Sequence, residues 1–310
     1  MTLLARVGEH LYWAARYLER AEGLARVMRE HTYLLADMPT SVPLTWEPLL
    51  AMGGGGFLPE GTAPSETAIV RHLLGGTENP ESIAEGVTRA RENLRACREV
   101  IPVEAWLVAN DLHLYLDARR GEGVDRGSRA RLLDRVIEDH QLFLGILLGN
   151  MTRDQAFTLM RLGRHIERVA LISRVLDVRG AQLLEPAEQD GYHEVQWIGV
   201  LRSLSALHMY HLATGVPVDA VPAMRFLILH PGFPRSVSYC LTAIAQTVAE
   251  LPMPERLLGA CEESLEILEG LERTQDPAEL HAGAGALGRC AAGIHDEIVA
   301  VCFPDTLPTG

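Results

Sequence analysis

Two short charged clusters hold the residue types most able to do chemistry in this chain, Arg16-x-x-Glu19-Arg20 and Arg164-x-x-Glu167-Arg168. A guanidinium keeps its charge at any working pH, and its planar fork of donors matches a carboxylate or phosphate in two-pronged fashion. A glutamate between arginines can orient them, accept an ammonium group or act as a general base, although neighbouring positive charge weakens it as a base. On a helix, Tyr12, Arg16, Glu19, Arg20, Gly23 and Arg26 share one side, while Leu11, Ala14, Leu18, Ala21, Ala25 and Met28 share the other. The charged side reads either as a solvated face of Glu–Arg pairs, worth about 0.3 kcal/mol each, or as a buried polar centre.

Recurrence favours the second reading. Leu11, Arg16, Glu19, Arg20, Arg26 and Val27 return 148 residues later as Leu159, Arg164, Glu167, Arg168, Arg174 and Val175. Trp46 and Leu50 return after 151 residues as Trp197 and Leu201. Arg71, Leu73, Pro80, Ser82 and Thr88 return after 154 as Arg225, Leu227, Pro234, Ser236 and Thr242. Three blocks in one order, with an offset that grows at each loop, indicate an internal duplication into halves 1–150 and 151–310. The core side drifts between copies while the charged side keeps its register, which solvated charges have no reason to do. Two such helices facing each other would gather six charged side chains into one centre. Its two arginines per glutamate leave capacity for an anion, or serve a purely structural network.

A further anion-suited segment is HPGFPRSVSYC, residues 230–240, where Pro234 suits a first helical position and Arg235 and Ser236 the first turn. The equivalent segment of the first half has Glu81 in place of Arg235, so only the second copy suits an anion. Elsewhere the signals are bland. Gly283-x-Gly285-x-x-Gly288 follows no strand and is an accidental match to a dinucleotide loop. His208 with His211, and His113 with Asp117, have no further ligands at metal spacing. The glycine run at residues 53–56 is a flexible connector or a lid.

These residues must be carried by helices. Apolar stripes of helical period span residues 3–36, 81–100, 103–118, 126–148, 153–176, 195–213, 236–251, 255–271 and 280–301, so the chain reads as all-α, an internally duplicated helical bundle. Its 310 residues are 47% hydrophobic, enough for a sizeable core. All 28 basic residues are Arg, against 41 acidic ones. The absence of Lys excludes a Schiff-base nucleophile and a phosphate-binding loop ending in Gly-Lys. A net charge of −13 argues against nucleic acid and anionic membrane surfaces. No spanning segment or leader is read, and five scattered cysteines suit a reducing, cytoplasmic setting.

With these residues in view, the sequence resembles the bacterial alpha-E domain family over nearly its whole length. The resemblance rests on LLARVGEHLYWAARYLERAEGLAR at the start, on ARENLRACREVIPVEAW followed by Asn110 and Tyr115, on MTRDQAFTLMRLGRHIERVALISRVLDV at 151–178, on Trp197 and on FPRSVSYCL. The chain departs from the family pattern at Ala15, where Gly is usual, and at Val169-Ala170, where Ala-Asp or Ala-Glu is common. The resemblance implies a partnership with a circularly permuted ATP-grasp protein, hence a setting of ATP-dependent peptide or amide synthesis, with ATP and magnesium on that partner. The expected role is a helical partner that does not bind ATP. It would hold a peptide or amino-acid carboxylate at Arg16, Arg20, Arg26, Arg164, Arg168, Arg174, Arg235 and Ser236, supported by Tyr12, Trp13, Asn110 and Tyr239. The alternatives are an amide-bond enzyme with Glu19 or Glu167 as base, and a structural scaffold with a buried Arg/Glu brace.

Overall fold

Capping chemistry sets the helix starts. Ser65, Ser82 and Asp125 precede helices and accept the N–H of Ala68, Glu85 and Ser128; Asp219, Ser236 and Asp276 do the same for Ala220, Tyr239 and Ala278. Each satisfies a first-turn donor that the helix leaves without an internal partner. Pro48, Pro254 and Pro277 stand in first turns, where their missing N–H costs nothing. The computed structural model describes residues 5–39, 44–53, 57–76, 78–123, 125–184 and 192–304.

Among the described residues there are thirteen helices and no strand. The chain divides into two compact units: His10–Met160, and Arg161–Gly310 with the described residues of Met1–Glu9. The first contains most of α1 (Ala5–Asp37), then α2 (Pro48–Met52), α3 (Glu66–Gly75), α4 (Ile83–Ala96), α5 (Val103–Asp117) and α6 (Arg126–Asn150). In it α3 packs on α4, α4 on α5, and α5 on α6. The division falls inside α7 (Gln155–Leu184), whose larger part opens the second unit. There follow α8 (His193–Ser203), α9 (Leu207–Thr214), α10 (Ala220–Leu229), α11 (Val237–Val248), α12 (Pro254–Glu272) and α13 (Pro277–Cys302). α10 packs on α11, α12 and α13, and α12 packs on α13.

Several features depart from the sequence reading, beginning with α2 and α3, which at 5 and 10 residues are too short to show a stripe. The single stripe at 195–213 is two helices, because Ser205 takes a left-handed backbone (φ 55°) without a glycine or proline to announce it. That turn lets Trp197, Leu201, Ala206 and Tyr210 all reach complete burial, and the Tyr210 hydroxyl donates to the Pro217 carbonyl at 2.9 Å. α10 was missed because AVPAMRFLIL is apolar nearly all round and has no stripe. α11 begins at Val237, so Pro234 and Arg235 precede the helix rather than occupying its first turn; Ser236 takes the capping position by accepting from Tyr239. Of the glycine run at 53–56, only Gly53 is described: it ends α2, and a Cβ there would stand 2.2 Å from Leu73. Gly283 and Gly288 lie within α13, where a side chain would strike Leu271 and Ser173 at 2.6 and 3.0 Å, so their spacing serves helix packing.

No described helix is long and apolar enough to cross a membrane. Burial pushes the Cys97 thiol up to about 12, and those of Cys261 and Cys302 to about 11. At pH 8 these thiols should react with iodoacetamide at least about a hundredfold more slowly than an exposed cysteine, since the thiolate is the nucleophile. Peptide mass spectrometry with and without urea checks this; fast alkylation of the folded protein would contradict their burial.

Candidate anion-binding centres

In the first unit the charged face of α1 is buried, not solvated. Glu19 and Glu22 have no exposure, and Arg16 and Arg26 less than a tenth. Such a face survives only if its charges meet opposite charges or strong acceptors. Glu22 accepts a hydrogen bond from Arg26 one turn later. His140 of α6 brings its Nε2 to 3.4 Å from Glu19 Oε2. Arg20 donates to Glu81 at 3.0 Å. Glu81 is held there because its own N–H donates to Asn79 Oδ1 while Ser82 caps α4 behind it. Arg16 lies over the Trp13 ring at 5.0 Å and near Tyr12 at 5.9 Å, and Trp13 stacks on Tyr17. Asn110 is engaged elsewhere: it accepts from Arg91 at 3.2 Å and joins α5 to α4.

In the second unit the residues that recur in sequence carry a different charge balance. Glu167 and Arg168 are buried on α7, Arg164 and Arg174 half-buried. Arg168 stands where the first unit has Arg20, but it donates to the Pro234 carbonyl at 3.1 Å rather than to a side chain at position 235. The residue matching Glu81 is Arg235, half-buried beside that carbonyl. The residue matching Glu22 is Ala170, so Arg174 has no carboxylate one turn before it as Arg26 does. Ser236 is completely buried; its hydroxyl donates to the His230 carbonyl at 2.5 Å and accepts from Tyr239 N–H. That hydroxyl is a helix cap whose single proton goes to the His230 carbonyl. The Tyr239 ring lies 6.1 Å from that of buried His165.

A family model described as a predicted alpha-helical domain with a conserved ER motif, Alpha-E, matches residues 3–303. The chain belongs to the Alpha-E family. It is also 22% identical, over 328 aligned residues, to uncharacterized proteins of Mycobacterium bovis and Mycobacterium tuberculosis. The match covers 94% of this chain and 35% of each relative, so the chain spans about a third of their length. No solved structure matches.

This Alpha-E chain contains four Glu-Arg dipeptides, and burial separates them. Glu19 and Glu167 are 0% and 3% exposed, whereas Glu255 and Glu272 are exposed. The buried pair are those of the two charged clusters.

Sequence reasoning missed His140 and Glu22. His140 had a signal, since His295 on α13 follows it by 155 residues and continues the series of growing offsets. Glu22 had a weaker one: it follows the first Glu-Arg where the resembled family commonly has an acid, but its matching position in this chain is Ala170. Among the described residues no group of three or more His, Cys, Asp or Glu could hold a metal ion. His208 and His211 are exposed on α9. His113 lies 3.2 Å from Thr88 Oγ1, whose own proton goes to the Ala84 carbonyl.

Proposed function

We propose that this Alpha-E protein is the non-ATP-binding helical partner of an ATP-grasp amidoligase, and that its second unit holds a peptide or amino-acid carboxylate. The observation that carries the reading is the charge difference between matching centres. Where the first unit supplies Glu81 to Arg20 and Glu22 to Arg26, the second has Arg235 and Ala170. The second centre thus has two fewer carboxylates and one more guanidinium, a balance that favours an anionic ligand at Arg164, Arg168 and Arg235. Within that reading Glu81 is a built-in counterpart of the ligand carboxylate. The first centre acts as a brace, supported by the complete burial of Glu19 and Glu22, which also leaves Glu19 out of reach as a base for an outside substrate.

Partnership is supported by the extra two thirds of chain in the mycobacterial relatives, which leaves room for an attached catalytic body. The absence of Lys, and with it of a Gly-Lys phosphate loop, accords with ATP being handled by that partner. In a coupled ligation assay with the ATP-grasp protein of the same genome, Arg168→Ala and Arg235→Glu should each lower the rate at least about tenfold, since charge-assisted bonds contribute roughly 1.5–3 kcal/mol. Glu81→Gln should leave the rate within about twofold, as expected for a removed structural pair. Failure of the two proteins to co-purify, together with unchanged ligation by Arg168→Ala, would sink the proposal.

A further inference from the structure

Between α12 and α13 the second unit has a groove of about 460 Å³, toward the low end of small-molecule sites, that the carboxylate centre does not use. Arg256, Ala260 and Glu263 line one side, each a turn apart on α12. On α13, Ala286, Cys290, Gly293 and Glu297 repeat the pattern, with Arg289 beside them. Alanine, glycine and a buried cysteine keep the floor low between charged rims. Gly293 is exposed and a Cβ there would meet nothing within 4 Å, so no described neighbour calls for a residue this poor in helix propensity. The four charged side chains are not equivalent. At one end Arg256 donates to Glu297 at 2.6 Å, a matched pair. Toward the other end Glu263 stands beside the Cys290 thiol, which burial first and that carboxylate second push up. Among the described residues neither Glu263 nor Arg289 has an oppositely charged side chain within 4 Å.

Neighbouring elements do not supply the missing partners. α7 presents Ser173, Asp177 and Gly180 to α13. Asp177 and Arg289 both approach Gly285, where a Cβ would stand 3.8 and 3.7 Å from them, yet Asp177 lies beside His281 at 3.7 Å and does not reach Arg289. α11 carries no charge, and Arg225 of α10 donates to the Leu271, Glu272 and Thr274 carbonyls at the far end of α12. Arg273 lies past that same end, and His295 is on the side of α13 opposite Gly293. Glu255, Glu262, Glu266 and Asp296 are exposed around the groove. These acids repel a dianion, and a simple cation would leave Arg289 without an acceptor. A ligand with one charge of each sign answers both groups. We propose that the α12–α13 groove binds a free α-amino acid, its carboxylate on Arg289, its ammonium on Glu263 and its side chain over Ala260, Cys290 and Gly293. The proposal goes beyond the carboxylate reading of Arg168 and Arg235 and does not depend on it.

The test is calorimetric titration of the full chain with L-alanine, N-acetyl-L-alanine and L-alaninamide, the last two keeping one charge each. L-alanine should bind, and both single-charge analogues should bind at least tenfold more weakly. Arg289→Gln and Glu263→Gln should each weaken L-alanine tenfold or more. Asp296→Asn alters the net charge as Glu263→Gln does, and should change the affinity less than twofold. Gly293→Leu fills the groove without altering any charge, so it should abolish binding while leaving the thermal midpoint unchanged or higher. A role confined to the chain's own fold would not separate stability from binding in this way. No binding of L-alanine at millimolar concentration, equal binding of either analogue, or full binding by Gly293→Leu would each overturn the proposal. If Arg235→Glu abolishes L-alanine binding and Arg289→Gln does not, the ligand sits in the other centre and the proposal falls.

Discussion

Replacing Arg129 with alanine is expected to destabilise the first unit by about 3–5 kcal/mol, the range for removing one member of a buried charged network. Arg129 has no exposure. Its Nη2 donates to Glu66 at 2.8 Å, its Nε to the Gly123 carbonyl at 3.1 Å and its Nη1 to Thr32 Oγ1 at 3.4 Å, while its guanidinium lies 4.8 Å from the centre of the Trp46 ring. One side chain thus ties α1, the segment before α2, the start of α3 and the turn before α6. Alanine would leave the Gly123 carbonyl without this donor, release Glu66 and open a void beside the indole. Arg129→Lys should recover less than about half of the loss, because an ammonium cannot reproduce a planar fork that reaches three acceptors and stacks on a ring. Urea unfolding followed by tryptophan fluorescence reads both variants. A loss below about 1 kcal/mol for alanine, the scale of an exposed ion pair, would contradict this role.

Arg129 also marks the limit of what the sequence makes legible. Its partners lie up to 97 residues away, and no local spacing connects Arg129 with Thr32 or Glu66. Local order was easier to read. α1, α4 to α7 and α11 to α13 each keep one apolar stripe, and serine or aspartate caps stand before most of the later ones. The two buried Glu-Arg clusters were readable through recurrence alone, since a charged helix face in one copy looks the same whether wet or dry. What escaped were the short α2 and α3, and features fixed by tertiary packing: the left-handed Ser205, the apolar α10, and the start of α11 at Val237, where Ser236 caps better than Pro234 could begin a helix.

The pair Glu22 and Arg26 gives the second large effect and separates a brace from a ligand site. Glu22 is fully buried and Arg26 is 5% exposed, so Glu22→Ala would leave a desolvated guanidinium without its closest carboxylate. We expect a loss of about 3–5 kcal/mol for Glu22→Ala, whereas Glu22→Ala/Arg26→Met should recover at least about 2 kcal/mol of it, because replacing both members with apolar groups avoids the stranded charge. The second unit offers a natural comparison. Ala170 stands at the position of Glu22, and Arg174 is half-buried. A double-mutant cycle by urea unfolding measures the coupling directly. If the double variant is as unstable as the sum of the singles, Glu22 and Arg26 are not the energetic unit their contact implies. If the double variant folds but loses coupled ligation while Arg168→Ala keeps it, the carboxylate site belongs to the first unit and the assignment of roles must be exchanged.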